Sequence, residues 1–174
     1  MKRTDLKKMV LSAMFLAIGM VLPMLTGQIK EIGDTLLPMH LPVLLCGFIC
    51  GWGYGGAIGL MLPFLRSIIF SMPPLYPQAV WMAAELMAYG VFTGLIYSFF
   101  KKKNIASIYI SLVGAMLIGR AVWGVVKVLL LNLDGKAFTF MAFIDGGFVD
   151  PLLGIVIQLI LVPIIVKLAE KIKL

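Results

Sequence analysis

One histidine, two cysteines and eight acidic side chains are nearly all that this 174-residue chain offers to metal, redox or acid–base chemistry. It has no G-x-x-x-x-G-K-[ST] loop to cradle a nucleotide's phosphates, no H-E-x-x-H for zinc and no G-x-S-x-G turn to present a nucleophile. Nothing in it points to nucleotide hydrolysis. Ser67, Ser71 and Asp150 are scattered and make no catalytic constellation, so the expectation is a chain that is not an enzyme and carries no metal or cofactor. Cys46 and Cys50 stand four residues apart, a spacing open to a metal or redox pair. Small residues packing one helix on another are far commoner, and packing is the expected role. Charge is scarce as well: 13% of residues are charged and 61% hydrophobic, with a mean hydropathy of +1.06. No polar interruption is long enough for a soluble domain, which leaves one integral membrane domain over residues 1–174.

What fills the chain is a series of nearly uncharged runs at 9–29, 35–65, 67–84, 86–100, 104–119 and 151–166. The second is too long for one helix of roughly 20 residues across a bilayer core of about 30 Å. Within it, "GWGYGG" at 51–56 is a good place to reverse the chain, because glycine tolerates positive φ. Six transmembrane helices follow, near 6–27, 37–51, 55–71, 77–100, 104–131 and 150–170, the second and third of them short. The first begins like a secretory signal, but its apolar stretch is too long and no A-x-A-like cleavage site follows, so it is expected to be retained.

Basic residues test this count, since cytoplasmic flanks carry the excess of lysine and arginine. Lys2, Arg3, Lys7, Lys8, the run Lys101 to Lys103, and Lys167, Lys171 and Lys173 all fall on one side if both termini are cytoplasmic. The opposite loops hold only Lys30, beside Glu31 and Asp34, and Lys136, beside Asp134. One long helix over 35–65 would place Lys101 to Lys103 outside, so the glycine turn is favoured. The net charge of +7 then needs no nucleic acid; anionic membrane lipid is the expected partner of these clusters.

Inside the apolar runs, Gly47, Gly51, Gly55 and Gly59, with Gly90 and Gly94, form a small-residue ladder that lets helices approach closely. Pro38, Pro42 and Pro63 bend or break the second and third helices. Four charges sit at membrane depth. At 1.5 Å per residue, Arg66 lies about 7 Å and Glu85 about 12 Å below the outer ends of their helices, and Arg120 and Lys127 about 18 and 8 Å below theirs. Each such charge costs on the order of 2.5–3.5 kcal/mol, so four imply a pathway, a binding cavity or mutual pairing. Arg120, Trp123, Gly124 and Lys127 are spaced as one helical face, with two cations and an indole for a ligand and Gly124 to leave room for it.

Other readings stay open at this level. Arg66 and Glu85 neutralise each other between helices, or Lys127 snorkels to the outer interface. Three buried cations against one acid nonetheless leave a positive surplus, which Asp145 and Asp150 at the outer start of the last helix offset in part. His40, at the outer start of the second helix, is a ligand group or an ordinary interfacial histidine, the second being commoner; Gln158 reads as a helix-to-helix hydrogen bond. A secondary transporter needs alternating-access machinery, for which six helices without a visible repeat are a poor fit. A small binding subunit powered by other proteins fits better.

With "SAMFLA" in the first helix, "LPMHLPVLLCGFICGWGYGGAIGLMLPFLRSIIFSMPP" and "AAELMAYGVFTGLIY", the chain resembles the substrate-binding S components of energy-coupling factor (ECF) vitamin transporters over nearly its whole length. Ala13 and Ala17 look like that family's A-x-x-x-A contact with the transmembrane coupling (T) subunit. The resemblance implies a six-helix bundle in the bacterial cytoplasmic membrane, working with a T subunit and two ATP-binding subunits, in which toppling of the S component carries a vitamin inward. It also implies a ligand in the outer half beneath loops 27–36 and 132–148. The candidate substrate-binding residues are Arg66, Glu85, Arg120, Trp123, Lys127, His40 and Asp150. The cationic surplus leans toward a carboxylate, so pantothenate is the first expectation; folate, or a neutral pyrimidine or pyridine such as hydroxymethylpyrimidine or pyridoxine stacked on Trp123, is the alternative. From a different class, the alternative is a non-transporting membrane scaffold whose charges form structural pairs.

Overall fold

Glycine and asparagine set the boundaries of the elements in the computed structural model, which describes residues 3–25 and 35–172. The described residues form helices and turns with no strand: α1 (Arg3–Leu25), α2 (His40–Cys50), α3 (Trp52–Phe70), α4 (Val80–Phe99), α5 (Ile105–Leu133), the short α6 (Phe140–Ile144) and α7 (Leu152–Lys171). Wide π-type turns lead into α4 (Leu75–Ala79) and out of α6 (Asp145–Val149). Gly51 stops α2 at φ +99°, a conformation that glycine alone adopts cheaply, and α3 starts at the next residue. Asn104 opens α5 with a capping box: its side chain accepts from the Ser107 N–H at 2.8 Å, while the Ser107 hydroxyl accepts from the Asn104 N–H at 3.0 Å.

Five of these segments are long and apolar enough to cross a membrane: α1, α3, α4 with its leading turn, α5 and α7. The second helix, expected to be short, is shorter than the 37–51 expected. Helix α2 has 11 residues, about 16 Å at 1.5 Å per residue and so roughly half a bilayer core. It is short at both ends. The chain turns at Leu37, which has a positive φ of 50°, and α2 begins at His40, already level with Glu85. At the other end Gly51 and Trp52 reverse the chain beside Gly94, about 8 Å before α4 ends. The expected six-residue glycine turn is also smaller than its sequence: Gly53, Gly55 and Gly56 belong to α3.

Those glycines serve packing. A Cβ on Gly90 would lie 2.1 Å from the Gly55 carbonyl oxygen, one on Gly59 2.3 Å from the Leu86 carbonyl oxygen, and one on Gly94 2.4 Å from the Trp52 nitrogen. Backbone thus meets backbone along α3 and α4, and any side chain would force the helices apart. Gly51 is outside this ladder, with nothing within 4 Å of its would-be Cβ. Around the seam, Val43, Leu44, Leu62, Leu86, Ile108, Leu112 and Val162 are wholly enclosed, and Cys46 and Cys50 are buried members of the same core with free thiols. Helix α1 is the least buried of the long helices, with Met9, Val10, Met14, Ile18 and Val21 exposed along it.

The two ends of the bundle differ. At one, Tyr97 donates its hydroxyl to Glu170, Lys167 pairs with Glu170 at 2.8 Å and reaches the Lys103 carbonyl at 3.2 Å, and the Lys103 ammonium lies 5.0 Å from the Tyr97 ring centre. This ties α4, the α4–α5 connection and α7 together. At the other end a cavity opens, lined by His40, Glu85, Arg120, Lys127 and Asp150.

Candidate functional site

Two antiparallel helix faces build the open end. Helices α4 and α5 run opposite ways: Gly114 lies beside Ile96, Gly119 beside the Tyr89 ring, Arg120 against Glu85, and Lys127 over Trp81. On the first face Gln78, Trp81, Met82 and Glu85 follow at spacings of three, four and seven; on the second, Arg120, Trp123 and Lys127 follow at three and seven. Between them is a cavity of about 410 Å³, also lined by Leu37, His40, Tyr76 and Asp150. That volume is within the range of small-molecule sites, about 300–1,000 Å³.

The floor of the cavity is polar and buried. Glu85 is 2% exposed, with Arg120 Nη1 at 2.8 Å and His40 Nε2 at 3.4 Å from its Oε1. The Arg120–Glu85 contact is an ion pair, while Arg120 Nε and Nη2 and His40 Nδ1 are buried without an aligned hydrogen bond. His40 is wedged there by its edge-on contact with Tyr89 at 5.3 Å, and Gly119 leaves the space that the Tyr89 ring fills. The upper wall is aromatic. The Lys127 ammonium stands 4.3 Å from the Trp123 ring centre, 5.3 Å from Trp81 and 5.2 Å from Phe138, an arrangement of cation–π contacts. Asp150 lies at the exposed rim.

Six of the seven sequence candidates therefore line one cavity: His40, Glu85, Arg120, Trp123, Lys127 and Asp150. Arg66 does not. Its guanidinium turns to α1, where Nη1 donates to the Met20 carbonyl, and lies 5.2 Å from the Phe70 ring centre. The ion pair that forms is Glu85–Arg120 rather than Glu85–Arg66. Among the described residues, two cations then share the cavity with two carboxylates, without the positive surplus read from the sequence. Gly124 makes room for the Phe143 ring of α6, whose Cε2 would be 2.5 Å from an added Cβ, rather than for a ligand. Gln158 is buried in α7 with neither side-chain atom in a hydrogen bond, unlike the helix-to-helix bond expected of it. Among the described residues no three of His, Cys, Asp and Glu gather as a metal site.

The sequence reading passed over Trp81, Tyr76, Gln78, Met82 and Leu37 as lining residues. Gln78, Trp81 and Met82 carried a signal, since they repeat upstream of Glu85 the spacing that marked Arg120, Trp123 and Lys127. Asp134, in the connection after α5, accepts from the Tyr76 hydroxyl at 3.0 Å, which joins two loops beside the opening. Of the two expected covering loops, residues 27–34 lie outside the described residues, while 132–148 supplies Gly146 to the cavity and sets Phe138 and Phe143 against the Trp123 ring. The expected partner contacts, Ala13 and Ala17, are both exposed on α1.

No curated protein and no solved structure matches the chain. The family model for the ECF transporter substrate-specific component matches residues 7–166, nearly the whole sequence. A bundle of membrane-capable helices, closed at one end and holding a polar and aromatic cavity at the other, accords with that match, and the chain belongs to the family of ECF transporter substrate-specific components.

Proposed function

We propose that this chain binds a small water-soluble vitamin or vitamin precursor in the cavity between α4 and α5 and delivers it to an ECF importer driven by two ATP-binding subunits. The observation that carries this reading is the convergence of His40, Glu85, Arg120, Trp123, Lys127 and Asp150, from four separate segments, on one cavity of about 410 Å³. Buried charges at membrane depth are costly, and gathering them around an opening is how a transport subunit uses them. The lysine-rich end, with Lys101 to Lys103 and Lys167, faces the cytoplasm in this reading, beside anionic lipid, and the cavity faces outward. Helix α1 offers its exposed face, with Ala13 and Ala17, to the T subunit in the bacterial cytoplasmic membrane.

Pantothenate loses its support as the first choice. It rested on three cations against one acid, whereas Arg66 points away and Asp150 joins Glu85 at the cavity. Folate, hydroxymethylpyrimidine and pyridoxine remain as the alternatives within the same role. The test is uptake. Vesicles carrying the chain with its T subunit and both ATPases should accumulate one member of a radiolabelled vitamin panel only when ATP is supplied. Accumulation that persists without the ATPases, or none for any member by the complete complex, contradicts the proposal and in the second case favours a scaffold.

A further inference from the structure

On the far side of Phe138 and Phe143 from the polar cavity, Ala121, Val125 and Leu129 of α5 face Phe138, Phe140 and Phe143 across an almost wholly apolar groove of about 460 Å³. Val125, Leu129 and Phe140 are each more than half exposed, so the groove opens outward from the bundle. Helix α5 is a membrane span, and the medium along it is hydrocarbon. From Asn132, at the open end of α5, Leu129 lies about 5 Å and Ala121 about 16 Å along the helix, so the groove runs through one leaflet of a core about 30 Å thick.

Size and charge decide what fills it. A partner helix is about 10 Å across, and a 12 Å length of one occupies roughly 900 Å³, about twice what the groove holds. An acyl chain is slender enough to lie along it. At the mouth, the Lys136 N–H donates to the Leu131 carbonyl at 2.8 Å, folding the chain back over the end of α5 and setting an exposed lysine between Leu129 and Phe138, two residues of the groove. A cation beside the end of an apolar groove matches a lipid phosphate above its acyl chain. The neighbouring acid, Asp134, is turned to the Tyr76 hydroxyl instead. Leu133, Phe140 and Met141 are each more than two-thirds exposed around the same mouth, as suits a surface seated at the membrane interface.

We propose that the groove between α5 and α6 is a phospholipid site, in which one acyl chain lies along α5 and the phosphate meets Lys136. The site does not depend on which vitamin the polar cavity takes. Its back wall does touch that cavity: Phe138 and Phe143 each stand 6.0 Å from Trp123, so the lipid chain supports the partition that holds the indole in place.

The full chain is extracted from bacterial membranes, washed in mild detergent to strip boundary lipid, and its remaining phospholipid is counted by native mass spectrometry. About one phospholipid per chain should remain. Val125→Trp, which fills the groove, should reduce this at least about fivefold, whereas Leu117→Trp, similarly exposed two turns along the same face of α5 and outside the groove, should retain it. Lys136→Glu should lower retention of phosphatidylglycerol at least about threefold. Benzoylphenylalanine in place of Val128, photolysed in the membrane before extraction, should yield a phospholipid adduct. No retained phospholipid, or equal retention in Val125→Trp and Leu117→Trp, overturns the inference. So does an adduct joining position 128 to a second copy of the chain or to the T subunit. ATP-driven vitamin uptake is read separately, so this inference and the importer reading fail on different results.

Discussion

Arg120→Ala is expected to abolish high-affinity binding and to lower the thermal stability of the detergent-solubilised chain. Glu85 is 2% exposed and has Arg120 Nη1 at 2.8 Å. Removing the guanidinium leaves a buried carboxylate uncompensated, a change that costs about 3–5 kcal/mol where only one partner of a buried pair is lost. Replacing both partners at once separates the two consequences. Glu85→Leu with Arg120→Met removes the charges together, and apolar replacement of a buried pair is often neutral for stability. The double variant should therefore melt close to the unmodified chain and still fail to bind. Binding within threefold of normal in the double variant would mean that the pair holds the helices together and reads no ligand.

The second large effect is expected at the opposite side of the molecule. Ala13 and Ala17 are exposed one turn apart on α1, the least buried long helix, and small residues at that spacing leave a groove for a partner helix. Ala13→Trp and Ala17→Trp should retain vitamin binding in detergent, fail to co-purify with the T subunit, and abolish ATP-driven uptake. Neither alanine lines the cavity. Substitutions that damage binding and uptake together would show that the alanines pack within the chain itself. Assembly and uptake at the unmodified rate would remove α1 as the docking face.

Which parts of this were legible in the sequence follows from what periodicity can carry. Arg120, Trp123 and Lys127 stood out because charges in an apolar run are conspicuous and their spacing places them on one face. Trp81 and Met82 share the matching face with Glu85, but an apolar side chain in an apolar run looks the same whether it meets lipid or a cavity. Only the packing of α4 on α5 separates the two. Arg66 shows the complementary limit: its burial was readable, its direction was not, because nothing local says that Met20 of α1 will take its hydrogen bond. The glycines after α2 are a third instance. The chain needs only Gly51 to reverse, while the neighbouring glycines that looked like turn residues are used to bring α3 against α4.

The most direct measurement is a structure of the chain with its co-purified ligand in place. The ligand should lie between α4 and α5, in the cavity lined by Trp81, Trp123, Glu85 and Arg120. A second cavity, of about 460 Å³ and almost wholly apolar, opens on the other side of Phe138 and Phe143, between α5 and α6. A vitamin found in that apolar cavity, or against Arg66 and α1, would contradict the assignment of the substrate site to the α4–α5 face.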